Sequence, residues 1–469
     1  MPPKRAEGAT SLGVFGAAVL CFFCIALIVG GSGAAPLSGG VVRMASIPVL
    51  GVAIWRLLDR GAPAGSLWPG LLLAAVFALL FAQRIPLPPE IWTRLPGREA
   101  ALDVYRAAGL KPPSLPISLT SHETWDAILG LLPAAAMFCA TLTLSLRARW
   151  AITAAAVLMA VCAIGLGMLQ MAGGPDSSLR FYAFTNRDSA VGFFANRNHQ
   201  AALLVCAIPL AAVMAMSRAG EARGGGLFRS VVATAFALVI VVGLGVTRSR
   251  AGVLLLGPAV IGAVLIALRG QLVRRDGSRD PRPALALSAA VVLGVGLVAT
   301  FSLTPLANRF QASITDDARY FLTPTTAAAG VAYAPTGAGV GAFVPVYQTF
   351  EGPQMLMRAY ANHAHNDYVE LWLETGWAGA GLFGLFLLWW ALTTVRVLRS
   401  PDDAQGAFAL AGAVVVALLL AHSFADYPLR APALSTLFAF ACGLMVPASR
   451  RAARGREEAA PGLADPARP

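Results

Sequence analysis

Between Asn362 and Gly381 the chain reads NHAHNDYVELWLETGWAGAG, which sets ionisable and amide side chains directly against the start of an apolar run. Lys, Arg, Asp, Glu or His at the edge of a hydrocarbon layer is expensive, and the usual reason for it is work on a substrate, an ion or a proton. Asp367 with Glu370 three residues on reads as a capping-box-like helix start, and Gly376 as the stop of that short helix. His365 then stands just before the helix N-terminus. The positive end of the helix disfavours an imidazolium, so a neutral His365 able to accept a proton is the chemistry this spacing supports. An interfacial helix anchored by Tyr368, Trp372 and Trp377 explains the aromatics but not His, Asn and Asp in one pentad. His363, His365 and Asp367 also form an HxHxD pattern of the metal-ligating kind. Its completing ligands are missing: position 368 is Tyr, and the other histidines are His122, His199 and His422, the last inside an apolar run. With so few nitrogen or sulfur donors, no metal site is expected.

A second group is Thr247, Arg248, Ser249 and Arg250, between two apolar runs. Arginine's planar fork suits the oxygens of a phosphate or diphosphate, and two arginines at a hairpin tip fit an anion. Snorkelling to lipid headgroups is the structural alternative. Arg319 in TDDARYFL and the set Arg180, Arg187 and Arg197 add to the same basic complement. GFFANRNHQAALL, 192–204, places Asn196, Arg197, Asn198 and His199 where a span begins; amides there can bond sugar hydroxyls or cap the helix. HSFADYPLRAP closes a late turn with Asp426 and Arg430, which either pair with each other or serve the site. The GAGVGAF run at 337–343 has no strand before it and reads as a bend, not a dinucleotide loop.

The elements that must position these groups are membrane spans. Of 469 residues, 57% are hydrophobic and 13% charged, a balance that excludes an ordinary soluble multidomain protein. Apolar windows near the length that crosses a bilayer recur at about 11–31, 41–58, 68–83, 125–145, 150–172, 198–217, 228–247, 251–268, 284–304, 376–396, 405–423 and 428–447. The expectation is an all-α polytopic membrane protein of about 12 transmembrane helices. The net charge of +12 reports topology and not nucleic-acid binding, because basic residues alternate between successive inter-span segments. Arg147 and Arg149, the run from Arg269 to Arg282, Arg396 and Arg399, and the arginines from Arg450 to Arg456 share one side with Lys4 and Arg5. That side is cytoplasmic by the positive-inside rule, so both termini are expected inside and His365 outside. The first apolar segment is too long for a signal-peptide core and reads as a retained span. All six cysteines fall within the predicted spans and read as packing residues; Cys21 and Cys24 match a redox spacing only formally.

Four divisions follow. Residues 1–304 hold spans 1 to 9 with an outer, Pro-rich loop at 84–124 containing one short helix near 98–109, a lid or partner surface. Residues 305–375 form a large outer loop with short helices, 376–447 hold spans 10 to 12, and 448–469 is a charged, Pro/Ala-rich cytoplasmic tail expected to be disordered.

Taken in order, RSRAG (Arg248 to Gly252), Arg319 followed by Gly337, Gly339, Gly341, Phe343 and Tyr347, and then HNDYVELWLETGWAG resembles the O-antigen ligase and polymerase superfamily of bacterial membrane glycosyltransferases. The likeness covers about 185–435; GFFANRNH and DYPLRAP are similar to exopolysaccharide polymerases of that superfamily, and the first 150 residues match only as generic spans. The resemblance implies a GT-C-like enzyme of the bacterial inner membrane that takes a glycan from an undecaprenyl diphosphate donor at the periplasmic face. It implies no nucleotide sugar, no metal and no other cofactor. The family's histidine falls on His365, and its loop and span arginines on Arg250 and Arg319. Arg248, Arg197, Asn198, Asn366 and Asp426 complete the expected diphosphate- and substrate-binding set. The expected partners are the lipid-linked donor, a glycan or lipid A-core acceptor and the lipid bilayer, with no nucleic acid. Polymerase and ligase need the same base and diphosphate site, so the residues leave both open. A transporter or flippase is the alternative from another class, favoured by the number of spans and opposed by the scarcity of ionisable residues mid-span.

Overall fold

The computed structural model describes residues 12–33, 36–215, 225–272, 319–353, 360–400 and 404–447. They form helices α1 (Val14–Val29), α2 (Pro36–Arg60), α3 (Leu67–Ala82), α4 (Pro89–Trp92), α5 (Glu99–Ala107), α6 (Ser121–Gly130), α7 (Leu132–Thr143), α8 (Leu146–Ala172), α9 (Arg197–Ala215), α10 (Gly225–Thr247), α11 (Arg250–Leu272), α12 (Arg319–Ala332), α13 (Phe343–Phe350), α14 (Asp367–Arg399), α15 (Ala404–His422) and α16 (Pro432–Met445). Among the described residues the only strand-like pairing is an isolated bridge between Leu87 and Leu115. The protein is an all-helical polytopic membrane protein.

Seven of these helices, or continuous helix pairs, are long and apolar enough to cross a membrane, and four shorter ones of 10–17 residues are equally apolar. Hydrocarbon leaves backbone groups no solvent partner, so helices that satisfy their own hydrogen bonds are the form such sequences take. Eleven of the predicted windows fall on these eleven helices; the twelfth, 284–304, lies outside the described residues, as does the predicted tail at 448–469. Pro48, Pro209 and Pro258 lie inside α2, α9 and α11, as membrane helices tolerate.

Between apolar helices in lipid, close packing replaces the hydrophobic effect as the glue, and small residues make it possible. A Cβ built on Gly252 of α11 would stand 2.6 Å from the Ala201 Cβ of α9, and one on Gly262 would stand 2.5 Å from Val414 of α15. On α16, a Cβ at Gly443 would meet Thr141 of α7 at 2.6 Å. The core runs through α9, α15 and α16, whose residues are buried almost throughout. α1 packs into that core through Phe23, Ala26 and Leu27.

The bundle has two different ends. At one, Arg149 donates to the carbonyls of Thr141 (3.0 Å) and Val446 (3.3 Å), and Arg269 to those of Val397 (2.6 Å) and Ser400 (2.7 Å), closing the termini of α7, α16 and α14. At the other end lie the starts of α9, α11 and α14, the Ser423–Ala431 turn and the segment joining α3 to α6. Helix α14 is in fact two helices that meet at Gly376, where φ 55 and ψ −145 break the helical path, as its sequence position predicts.

Candidate active site

The short arm of α14, Asp367 to Thr375, is capped one residue earlier than the capping-box pattern suggests. Asn366 is the N-cap: its Oδ1 accepts the backbone N–H of Tyr368 (3.0 Å) and Val369 (3.3 Å). An amide oxygen meets these donors without a charge, which frees both carboxylates of the expected box for other partners. Asp367 accepts the Ser423 hydroxyl at 2.8 Å, while its own N–H donates to the Ser423 carbonyl at 3.0 Å, tying the helix start to the turn after α15. Asn366, expected as a substrate ligand, is thus placed as a cap beside His365.

His365 sits immediately before that cap with φ 52, the left-handed region that a side chain with a Cβ seldom adopts. Its Nδ1 lies 2.9 Å from Oδ1 of Asp426, a side chain fully buried in the turn after α15. A carboxylate only accepts, so Nδ1 carries a proton, and the neutral tautomer compatible with this contact has its lone pair on Nε2. The His365 side chain stays 28% exposed.

Asp426 gathers donors from three parts of the chain. Oδ1 also accepts the N–H of Tyr427 (3.0 Å), and Oδ2 accepts the side-chain amides of Asn196 (2.9 Å) and Asn198 (2.6 Å) at the start of α9. Asn198 in turn accepts the Ser249 hydroxyl at 2.8 Å. The hairpin between α10 and α11 is thereby joined to His365 through Asn198 and Asp426. Arg248 and Arg250 flank Ser249, and Arg248 is itself left-handed, with φ 54. Among the described residues, Arg248 and His365 are the two non-glycine positions with positive φ.

The remaining predicted arginines are less convergent. Arg197 opens α9 and turns toward the 186–189 segment, 3.2 Å from the Ser189 hydroxyl and 3.5 Å from Asp188. Arg319 is the first residue of α12, and its side chain lies outside the described residues.

The pairing of Asp426 with Arg430 does not occur. Arg430 contacts Glu374 at 3.0 Å, Glu370 at 3.2 Å and Asp367 at 3.4 Å, three carboxylates on one face of the short arm of α14. Burial alone would lower the Arg430 pKa, but Glu370, Glu374 and Asp367 more than reverse it and hold the guanidinium charged. Three carboxylates at helical spacing outcompete one, and Asp426 is already supplied with neutral donors.

Tyr427 is the packing centre. The rings of His363, His365 and His199 lie 4.2, 5.0 and 5.1 Å from its own. Burial, then the charge of Asp426, pushes its phenol up to about 12, so it remains neutral. The HxHxD side chains diverge: His363 bonds Glu370, His365 bonds Asp426, and Asp367 meets Ser423 and Arg430. Among the described residues no three His, Cys, Asp or Glu side chains are grouped to hold a metal ion.

The glycine run is more than a bend. Gly337, Gly339 and Gly341 all have positive φ, and a Cβ at each would stand 2.6 Å from the Glu374 carbonyl, 2.4 Å from Ser118 Cα and 2.4 Å from Glu123 Cβ respectively. The run is a docking strip between the 84–124 segment and the short arm of α14. Gln83 clamps it, accepting the N–H of Val340 at 3.1 Å and donating to the Glu374 carbonyl at 2.9 Å, while Thr124 donates to the Val340 carbonyl at 2.7 Å. Sequence reasoning missed Tyr427, Gln83 and the linking role of Ser249. Each is an ordinary residue type made special only by its neighbours, although the density of polar residues around Asn196 and Asp426 pointed to their turns.

No curated protein matches the chain closely enough to count as a relative. A family model described as O-antigen ligase matches residues 234–384. The matched stretch contains the Arg248–Arg250 turn, the glycine run and the His365 loop, whereas Asn196, Asn198, Asp426 and Arg430 lie outside it. That match falls on the segment that carries the histidine and the arginine hairpin, so over residues 234–384 the chain is similar to the O-antigen ligase family.

Proposed function

We propose that the chain is a glycosyltransferase of the bacterial inner membrane that moves a glycan from undecaprenyl diphosphate onto an acceptor hydroxyl at the periplasmic face. It acts as a polymerase of lipid-linked repeat units or as a ligase onto lipid A-core. The observation that carries this reading is the His365–Asp426 pair, in which a fully buried carboxylate holds Nδ1 of an imidazole whose side chain is still 28% exposed.

In this mechanism Nε2 of His365 takes the proton of the acceptor hydroxyl as its oxygen attacks the anomeric carbon. The bond from that carbon to the diphosphate oxygen breaks, and its electron pair leaves with the diphosphate. Attack from the face opposite the leaving group inverts the anomeric centre. Diphosphate leaves well and needs little acid help, so the leaving group chiefly requires cations. Arg250 and Arg319 take that role, with Arg248 and Arg197 as further basic contacts and Asn198 holding the hairpin to the base. The reading assigns no metal and no other cofactor.

Two features favour transfer over transport. The base and the hairpin sit at one end of the bundle, whereas a carrier sets its site near mid-depth. The opposite end carries Arg149 and Arg269, and the alternation of basic residues between successive inter-span segments supports reading that end as cytoplasmic and the His365 end as periplasmic. Membranes containing His365→Ala at normal protein level should form less than about 1% of the wild-type polymer or ligation product, the scale set by loss of a general base; product near wild-type would remove His365 from the chemistry. Deletion of the gene separates the two enzyme activities, since short single-repeat glycans accumulate without a polymerase and full-length polymer stays on its carrier without a ligase.

A further inference from the structure

The residues Asn362 to Asn366 supply a second imidazole that the mechanism above does not use. His363 and His365 are separated by Ala364, which is fully buried. Both rings pack on Tyr427, at 4.2 and 5.0 Å, which keeps them within reach of one short oligosaccharide. Each presents Nδ1 to a buried carboxylate, His363 to Glu370 at 2.8 Å and His365 to Asp426 at 2.9 Å. The His363 side chain is 22% exposed and that of His365 28%.

A framing role does not account for His363. Glu370 is already satisfied without it: Oε2 accepts the N–H of Ala364 at 2.9 Å, and Arg430 stands 3.2 Å from Oε1. Glu370 is also shared with a guanidinium. The groups facing His363 are Glu370 and Tyr427, with Arg430 behind the carboxylate and Asp367 beside Arg430. With Nδ1 donating to Glu370 at 2.8 Å, Nε2 is the nitrogen whose lone pair the neutral tautomer offers as an acceptor. An acceptor atom beside a general base suits a hydroxyl-rich ligand rather than the diphosphate.

We propose that His363 is a second substrate-contacting residue: its Nε2 accepts a hydroxyl of the acceptor sugar close to the one that His365 deprotonates, and so selects acceptors that carry that neighbouring hydroxyl. The proposal rests on the transferase reading above.

The test uses the full-length protein in detergent, with undecaprenyl-diphosphate-linked repeat-unit glycan as donor and a tagged repeat-unit oligosaccharide as acceptor. His363→Ala should raise the acceptor KM about tenfold, equivalent to one lost hydrogen bond of about 1.4 kcal/mol, with kcat within about threefold and donor KM unchanged. His363→Gln, which keeps an acceptor oxygen, should recover most of the affinity, and His363→Phe should not. Monodeoxy acceptors provide an independent readout: the wild-type chain should lose about tenfold on one of them, and His363→Ala should no longer distinguish it from the parent. If His363→Ala keeps the wild-type acceptor KM, or loses kcat with KM unchanged, the selecting role is overturned while the transferase reading stands. Should His363→Ala fail to fold, the Gln and Phe variants decide by the same KM comparison. No product from the wild-type chain would overturn the transferase reading and this inference together.

Discussion

At the scale of single residues, Asp426 governs the site. Its two oxygens accept from His365, Tyr427, Asn196 and Asn198, so its geometry is set by donors on both sides. Asp426→Asn would keep the size but put an amide among these donors, leaving one N–H against another and the imidazole free to flip its tautomer. Turnover should fall on the order of 100-fold to 10,000-fold, the usual worth of a positioned general base; single-turnover rates at matched protein level measure it, and a loss under threefold would dismiss the dyad. His365 was legible in the sequence because His, Asn and Asp crowded against an apolar run have few structural excuses. Its partner was not, since Asp426 and Arg430 stand four residues apart in one turn and look like a local ion pair. The choice between them depended on how far away Glu370 and Glu374 end up in space, a quantity that spacing along the chain does not contain.

Helices and loops carry the next level of constraint. Apolar windows identify the spans well, because hydrocarbon thickness imposes a length and leaves little else to decide. Loops are harder to read, since the 84–124 segment has no periodicity to betray where it docks. The positive-φ glycines at Gly337, Gly339 and Gly341 are where its docking is recorded, in the space that a Cβ would fill. Gly376 is the sharpest case. With φ 55 and ψ −145 it occupies a region open essentially to glycine alone, and a Cβ would lie 2.1 Å from the Pro335 carbonyl oxygen. Gly376→Ala should destabilise the folded protein by about 1–3 kcal/mol from backbone strain, before any clash is counted. Thermal unfolding in detergent reads this directly, and an unchanged midpoint would mean that the short arm of α14 is not held as described.

Across the whole molecule the two ends divide the work. Arg149 closes helix termini at the end remote from His365, near the start of α8, whose 27 residues rise about 40 Å. Arg149→Met should leave the carbonyls of Thr141 and Val446 unmet and cost about 1–3 kcal/mol, yet activity per folded molecule should stay near wild-type. Size-exclusion profiles after a heat step, set beside specific activity, separate the two effects; a parallel loss of specific activity would contradict the division. The carboxylate that orders the base has a further consequence for biogenesis. His365 leaves the ribosome well before Asp426, with a pair of spans still to be synthesised and inserted between them. Until the turn that bears Asp426 has been made and packed, the nascent chain holds an imidazole without its carboxylate partner. On the transferase reading, a product truncated before residue 426 should be silent even though it retains the histidine and both hairpin arginines.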